Sequence, residues 1–393
     1  MKRTLIFLVL VLIGLGLYFA NSYAAGRAAR ELDAILAPKF EQAGASYGAL
    51  EVAPASGTIT LKDIAVEGED VSVGEVSVQS TFEDLLAAAK GMPEFLHGLH
   101  VTVQDVAIAE EDAVVNLGSG EAHIDALIDI RALQDDPEAW IADLMQQEDV
   151  TLNVSGRDWI IRSEDMTRKL SLPSNLVRLD ALKVSLEKHG GNVATSMDLD
   201  SPDFGSMALS AEGNEEELGS LSMEVSDIAF QPDEDLRFAL GNATVSLSGA
   251  VPIEALMKED YEELLTERPK MQWSVRVSDF VAEGEELRDE DFPESRVVLE
   301  TLAHDFEADA ERLATTLDFQ SNLGNGSMDI DLAIESVDPP VMEFGTFEVE
   351  LNGLHPELQR ALREVPLPLE PRGEDGYGFS YAGPLMGLLG MGM

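Results

Sequence analysis

Alternation of apolar and polar residues constrains this chain more than any other feature. Val71-Ser72-Val73-Gly74-Glu75-Val76-Ser77-Val78 and Thr58-Ile59-Thr60-Leu61 set β-branched or aliphatic residues against polar ones at a period of two. Successive side chains on a strand point to opposite faces, so such a run builds a sheet with one apolar and one polar side. The texture recurs at 99–109, 149–162, 177–187, 192–199, 205–212, 218–229, 236–248, 270–282, 294–308, 311–321, 326–336 and 342–352. Shorter runs at 113–117 and 120–130 read as two further strands, with Gly118-Ser119-Gly120 as the hairpin turn between them. Long antiparallel strands follow from this pattern.

At four places the alternation breaks at an aspartate. Leu61-Lys62-Asp63-Ile64, Val103-Gln104-Asp105-Val106, Val225-Ser226-Asp227-Ile228 and Val277-Ser278-Asp279-Phe280 each carry an apolar residue two before the Asp and another directly after it. An extra residue in one strand of a pair rephases the faces, so each Asp marks a β-bulge or bend. None has a neighbour of a second chemical type that would make it catalytic.

Between the strands lie helical patterns at 81–90, 137–147, 252–267 and 355–364. Thr81 stands as an N-cap and Pro137 suits a first helical turn. Residues 25–45 read as a further, stalk-like helix with Leu32, Ile35 and Leu36 on one stripe. The expected fold class is mainly β with an α+β character. An N-terminal transmembrane helix would precede a long antiparallel body, groove-like or two-layered, with a few packed helices. The divisions are 1–24 for the anchor, 25–45 for the stalk, 46–365 for the body and 366–393 for the tail. That tail passes from Pro-rich to Gly- and Met-rich and is uncharged from Gly376 onward. It reads either as a final strand and short helix closing the core, or as an apolar contact with membrane or partner.

The anchor rests on Thr4–Ala20, an uncharged run of about 17 residues, at the lower edge of the ~17–25 that span a bilayer. Lys2 and Arg3 before it favour a cytoplasmic N-terminus. The competing reading is a signal peptide cleaved after Ser22-Tyr23-Ala24. Either delivers the body to the outer side of a cytoplasmic membrane, and the expected location is the inner membrane with a periplasmic body. There are 74 Asp+Glu against 26 Lys+Arg, a net charge of −48. Such a body repels nucleic acid and anionic surfaces. The chain has no Cys, which excludes disulfides, thiol nucleophiles and thiolate metal ligands.

Familiar chemistry is missing from the sequence. His97 and His100 form an HxxH with no Glu to complete a zinc motif. His304 and Asp305 are adjacent, and adjacent residues on a strand face opposite ways. Asp198, Asp200 and Asp203 are spaced like a calcium loop, but Leu209 occupies the position of the bidentate Glu. No nucleophile elbow, phosphate loop or dinucleotide fingerprint is present. Catalytic, cofactor and metal residues are therefore expected to be none.

The N-terminal run, the short helix after it and the strands GTITLKDIAVEG and VSVGEVSV resemble the start of AsmA-like envelope proteins. They are also similar to the YdgA-like family of anchored periplasmic proteins. The resemblance lies mainly in the first ~80 residues, through Thr58 to Val66 and Val71 to Val78. It implies a β-groove that handles lipid between membranes, with acyl chains or envelope proteins as partners. The residues themselves support lipid handling modestly, since an apolar sheet face needs a helix, a sheet or an apolar ligand against it. The alternative is an interaction scaffold with a filled core.

Overall fold

A computed structural model describes residues 44–53, 56–66, 70–80, 95–110, 113–129, 146–163, 176–214, 216–231, 235–252, 270–285, 294–337, 340–362 and 369–384. It also describes single positions between 29 and 41, Leu144 and Leu287. The chain divides into two compact units, Met1–Asp203 and Phe204–Met393.

The first unit holds β1 (Ala45–Ser46), β2 (Ala49–Ala53), β3 (Thr58–Val66), β4 (Asp70–Gln79), β5 (Phe95–Glu110), β6 (Ala113–Asp129), β7 (Asp149–Ser163), β8 (Leu176–His189) and β9 (Asn192–Ser201). Strands β1 and β2 both pair with β3, and from β3 onward each strand pairs antiparallel with its successor. The β8–β9 hairpin closes through Gly190 and Gly191, with φ of 55° and 91°. Two central residues at positive φ make the tight turn whose twist matches the strands, and glycine adopts it without a steric penalty.

The second unit holds β10 (Gly205–Asn214), β11 (Glu217–Phe230), β12 (Leu236–Pro252), β13 (Met271–Gly284), β14 (Arg296–Ala308), β15 (Arg312–Ser321), β16 (Gly324–Val337), β17 (Pro340–Asn352), β18 (Glu370–Pro371) and β19 (Tyr377–Pro384). It too is a meander of antiparallel neighbours from β10 to β17, after which β17 pairs with β19 and β19 with β18.

The expected α+β class is overturned, while the transmembrane helix expected over 1–24 lies outside the described residues. Among the described residues 80% are strand and 6% are helix. The physical reason is strand length. Strands of up to 17 residues pair with their neighbours in sequence, so among the described residues the ladders themselves satisfy most of the backbone. Of the four helices expected to pack on the sheet, Pro356–Leu362 is present. The segments 81–90, 137–143 and 253–267 lie outside the described residues; beyond them Leu144 is helical, Gln146 and Gln147 lie in a turn, and Pro252 ends β12. No helix among the described residues is long and apolar enough to cross a membrane. The run Thr4–Ala20 and the end of the tail, 385–393, also lie outside them.

Gly118-Ser119-Gly120 is not a hairpin turn. It sits inside β6, which runs unbroken from Ala113 to Asp129. Cross-strand pairs continue on both sides of it, Leu117 with Val106 and Ser119 with Gln104.

The first unit has a buried apolar core at its N-terminal side. Ile59, Leu61 and Ile64 of β3 pack with Val73, Val76 and Val78 of β4 and with Leu99 and Val106 of β5. Phe40 covers them at 2% exposure, and its ring meets Tyr47 edge-on at 5.0 Å. Burying a side chain of this size contributes about 1.5–3 kcal/mol. A second small cluster joins Leu144 to Ala126 and Val150.

Candidate functional site

Two features organise both units: a crease across the strands, and a face that is apolar from strand to strand.

The crease is made by aspartates. Asp63, Asp105, Asp158, Asp227 and Asp279 have φ between 52° and 57°. This is the left-handed region, costly for most L-residues and least so for Asp and Asn. Each sits at a gap in the register. Asp105 falls between the pairs Val73–Val106 and Glu75–Gln104, opposite Gly74. On its other side it falls opposite Gly118. Asp158 likewise faces Gly118 and, across β8, Asp180. Following the register across the first unit gives Gly48, Asp63, Gly74, Asp105, Gly118, Asp158 and Asp180 in one line. In the second unit the line is Asp227, Gly241, Asp279 and Glu300.

The glycines follow from the aspartates. An aspartate in the left-handed conformation leans on the strand before it. A Cβ on Gly74 would stand 2.9 Å from Cβ of Asp105, one on Gly118 would stand 2.9 Å from Cβ of Asp158, and one on Gly241 would stand 2.8 Å from Cβ of Asp279. Only a residue without a side chain fits there. Because facing strands shift phase together at the line, the apolar side stays continuous across it. In β3, Ile59 and Leu61 before Asp63 and Ile64 and Val66 after it are all buried.

The apolar face of the second unit differs from that of the first. Cross-strand register gives the row Leu209–Met223–Val245–Val275–His304–Leu317–Met328–Val349–Phe379. The rows on either side run Met207–Val225–Ala243–Val277–Leu302–Phe319–Gly326–Leu351–Tyr377 and Ala211–Leu221–Leu247–Trp273–Phe306–Thr315–Ile330–Phe347–Tyr381. From β10 to β16 every residue in these three rows is only partly buried, and Trp273 is 42% exposed. Fully buried apolar residues of this unit, such as Val251, Ala282, Leu323 and Phe344, lie outside that field. Two aromatic rings lie over glycines to fill gaps: Phe319 over Gly326 here and Trp159 over Gly156 in the first unit. Nε1 of Trp159 is buried without a hydrogen-bond partner.

The opposite face is polar with a few alanines, its central row being Ser210–Ser222–Ser246–Ser274–Asp305–Thr316–Asp329–Glu348–Ser380. Hydroxyls bond across strands, with Ser246 and Ser274 at 2.8 Å and Ser206 and Ser226 at 2.6 Å. Arg276 grips both oxygens of Asp305 at 2.6 and 2.7 Å. Arg312 does the same to Asp331 at 2.7 and 3.2 Å, and the carboxylate beside it holds its guanidinium above the ordinary range. A shallow cavity of about 340 Å³ opens beside this row, lined by Ser246, Ser274, Asp305 and Thr316 among others. A second, also about 340 Å³, lies in the first unit between Phe40, Tyr47 and Asp33. There the Tyr47 hydroxyl donates to Oδ1 of Asp33 at 2.7 Å, and burial followed by this bond pushes its pKa up.

The residues singled out in the sequence are scattered. His100 shares a hydrogen bond with Glu121 at 2.8 Å and meets His123 edge-on. His97 lies beyond a bulge at Gly98, in register with Leu127. Asp203 accepts from the Arg178 backbone N–H and guanidinium, at 2.9 and 2.6 Å, which lowers its pKa. Asp198 is opposite Lys183. Among the described residues no group of three His, Asp or Glu side chains is placed to hold a metal ion. His304 and Asp305 lie on opposite faces, His304 sharing a hydrogen bond with Thr315 and Asp305 held by Arg276. Sequence reasoning missed Asp158 of the crease and the polar pair His304–Thr315. Comparison with protein-family models, with curated proteins and with solved structures returns no match.

Proposed function

We propose that the chain binds a ligand with an acyl chain along the apolar face of its second unit, and that it does so without catalysis. One observation carries this reading. Three adjacent rows of apolar side chains stay partly exposed from β10 to β16. Contiguous exposed apolar surface of this extent marks a place where something apolar docks. The magnitude is sufficient. A methylene fully removed from water is worth about 0.8 kcal/mol, and contact on one side removes about half of that. A 16-carbon chain then gains roughly 6 kcal/mol, a Kd of tens of micromolar before ordering costs. Envelope lipids are the source we favour, because Thr58–Val66 and Val71–Val78 resemble strands of AsmA-like proteins. A protein-interaction scaffold is the second reading, favoured by the filled core around Phe40.

The test is mass spectrometry of lipid extracted from the purified full chain, with and without Val275→Asp in the centre of the face. Stoichiometric lipid in the wild type and its loss in the variant are expected. Equal, trace amounts in both would refute the reading, and a specific bound protein would then favour the scaffold.

A further inference from the structure

Rows of valine, leucine and methionine need no polar residue, yet between β10 and β17 these hold two besides the indole of Trp273. His304 of β14 and Thr315 of β15 lie on the apolar face, where Nε2 of His304 and Oγ1 of Thr315 share a hydrogen bond of 2.8 Å. Trp273 meets the imidazole edge-on at 5.5 Å and Phe306 at 5.9 Å. The pair is half-buried, in register between Val275, Leu317, Phe306 and Ile330. A polar group set in apolar surroundings costs free energy that an aliphatic residue would not. An imidazole has two ring nitrogens and a hydroxyl both donates and accepts, so the pair can bond a third group beyond its mutual bond.

We propose that His304 and Thr315 hold the polar head of a single-chain amphiphile whose acyl chain lies on the surrounding rows. This rests on the acyl-binding reading above and deepens it to a ligand class. Charge selects the head. The chain carries −48, a long-range field against any anionic head, while the carboxylates of Asp305 and Glu307 stand on the opposite face of the sheet. The neighbouring guanidinium of Arg276 is already engaged by Asp305. An anionic head meets repulsion here, whereas an uncharged ester carbonyl or hydroxyl, as in a monoacylglycerol, meets donors and acceptors without it. Trp273 beside the pair suits the boundary between chain and head, since an indole is apolar with one polar edge.

The experiment uses the full chain with Trp140→Phe and Trp159→Phe, leaving Trp273 as the only indole. Three brominated quenchers of equal chain length are titrated below their aggregation limits: a monoacylglycerol, a fatty acid and an alkane. Tightest quenching by the monoacylglycerol is expected. His304→Leu with Thr315→Val is expected to weaken it about three- to tenfold, the loss of one or two net hydrogen bonds. Alkane quenching should stay unchanged, which also reports that the variant is folded. Thr315→Val alone, nearly isosteric, should show part of the loss. Quenching by all three with no preference for the monoacylglycerol, or an unchanged preference in the variants, overturns the head-binding proposal and leaves acyl binding standing. No quenching even by the alkane overturns both.

Discussion

The crease makes a quantitative prediction at Gly74. Its own φ lies outside the left-handed region, so alanine there carries no backbone strain and the cost is contact alone. The new Cβ would stand 2.9 Å from Cβ of Asp105 and 3.2 Å from its Oδ2. Carbon atoms in ordinary contact sit about 3.5–4.0 Å apart, so Asp105 must move. It is held in the left-handed conformation between two strands, and overpacking of this kind costs about 1–3 kcal/mol. Asp105→Gly removes the obstructing side chain. In that background the nearest remaining neighbour is the Gln104 carbonyl oxygen at 3.4 Å, an ordinary contact. Gly74→Ala should then be neutral, or stabilising by up to about 1 kcal/mol through the unfolded chain. The double-mutant cycle should therefore give a coupling of about 1–3 kcal/mol. Urea unfolding reads it, followed by Trp159 fluorescence after Trp140→Phe and Trp273→Phe. Trp159 lies beyond Asp158 in the same crease, so it reports on the first unit. Midpoints must shift at constant m for the energies to be comparable. A Gly74→Ala cost that is the same with Asp105 in place and in the Asp105→Gly background would refute the account of the glycines.

Two further predictions concern single residues. Gly156→Ala would drive a Cβ into the indole of Trp159, with Cε2 at 2.7 Å, and should cost about 1–3 kcal/mol and shift the Trp159 emission maximum. Asp203→Asn removes a carboxylate whose folded pKa is lowered by Arg178, so the stability it contributes is present above the unfolded carboxylate range and is lost as pH falls through the folded value. Midpoints measured from pH 7 down to pH 3 should converge for variant and wild type at the acid end, and a constant gap across that range would exclude the linkage.

Much of this architecture was legible in the alternation, because period two states which face a residue takes. Four crease aspartates were visible for the same reason: Asp63, Asp105, Asp227 and Asp279 each interrupt a run between two apolar residues. Asp158 was hidden by a compensation. Where the others have Leu61, Val103, Val225 or Val277 two residues before the Asp, β7 has Gly156. Where they have Ile64, Val106, Ile228 or Phe280 directly after it, β7 has Trp159. The large ring covers the missing side chain, so the surface is kept while the pattern is lost. Gly118-Ser119-Gly120 misled for a related reason. Glycines usually mark turns, but Gly118 is required by Asp158, and Gly120 has Val103 and Leu117 against it, with a Cβ there 2.9 Å from Val103.

What alternation cannot state is whether an apolar face is covered, and there the two units part. Both present the same sequence texture. In the first, Phe40 closes the face over β3 and β4, and Leu144 closes it over Ala126 and Val150. In the second, the middle of the face has no such cover among the described residues, and Trp273 stands 42% exposed. The second unit is therefore held together differently. Its backbone ladders run through eight consecutive antiparallel strands, and its polar side adds Ser246–Ser274, Arg276–Asp305, Arg312–Asp331 and Arg372–Glu350. Those pairs are exposed, so each contributes little by itself. Their placement on one face is what matters, because they fix register without using the other. A one-residue slip would move every apolar side chain of a strand to the polar side, opposite serines and carboxylates. Register is thus specified from the polar face as well as from the apolar one, which the pairs of the polar face leave untouched.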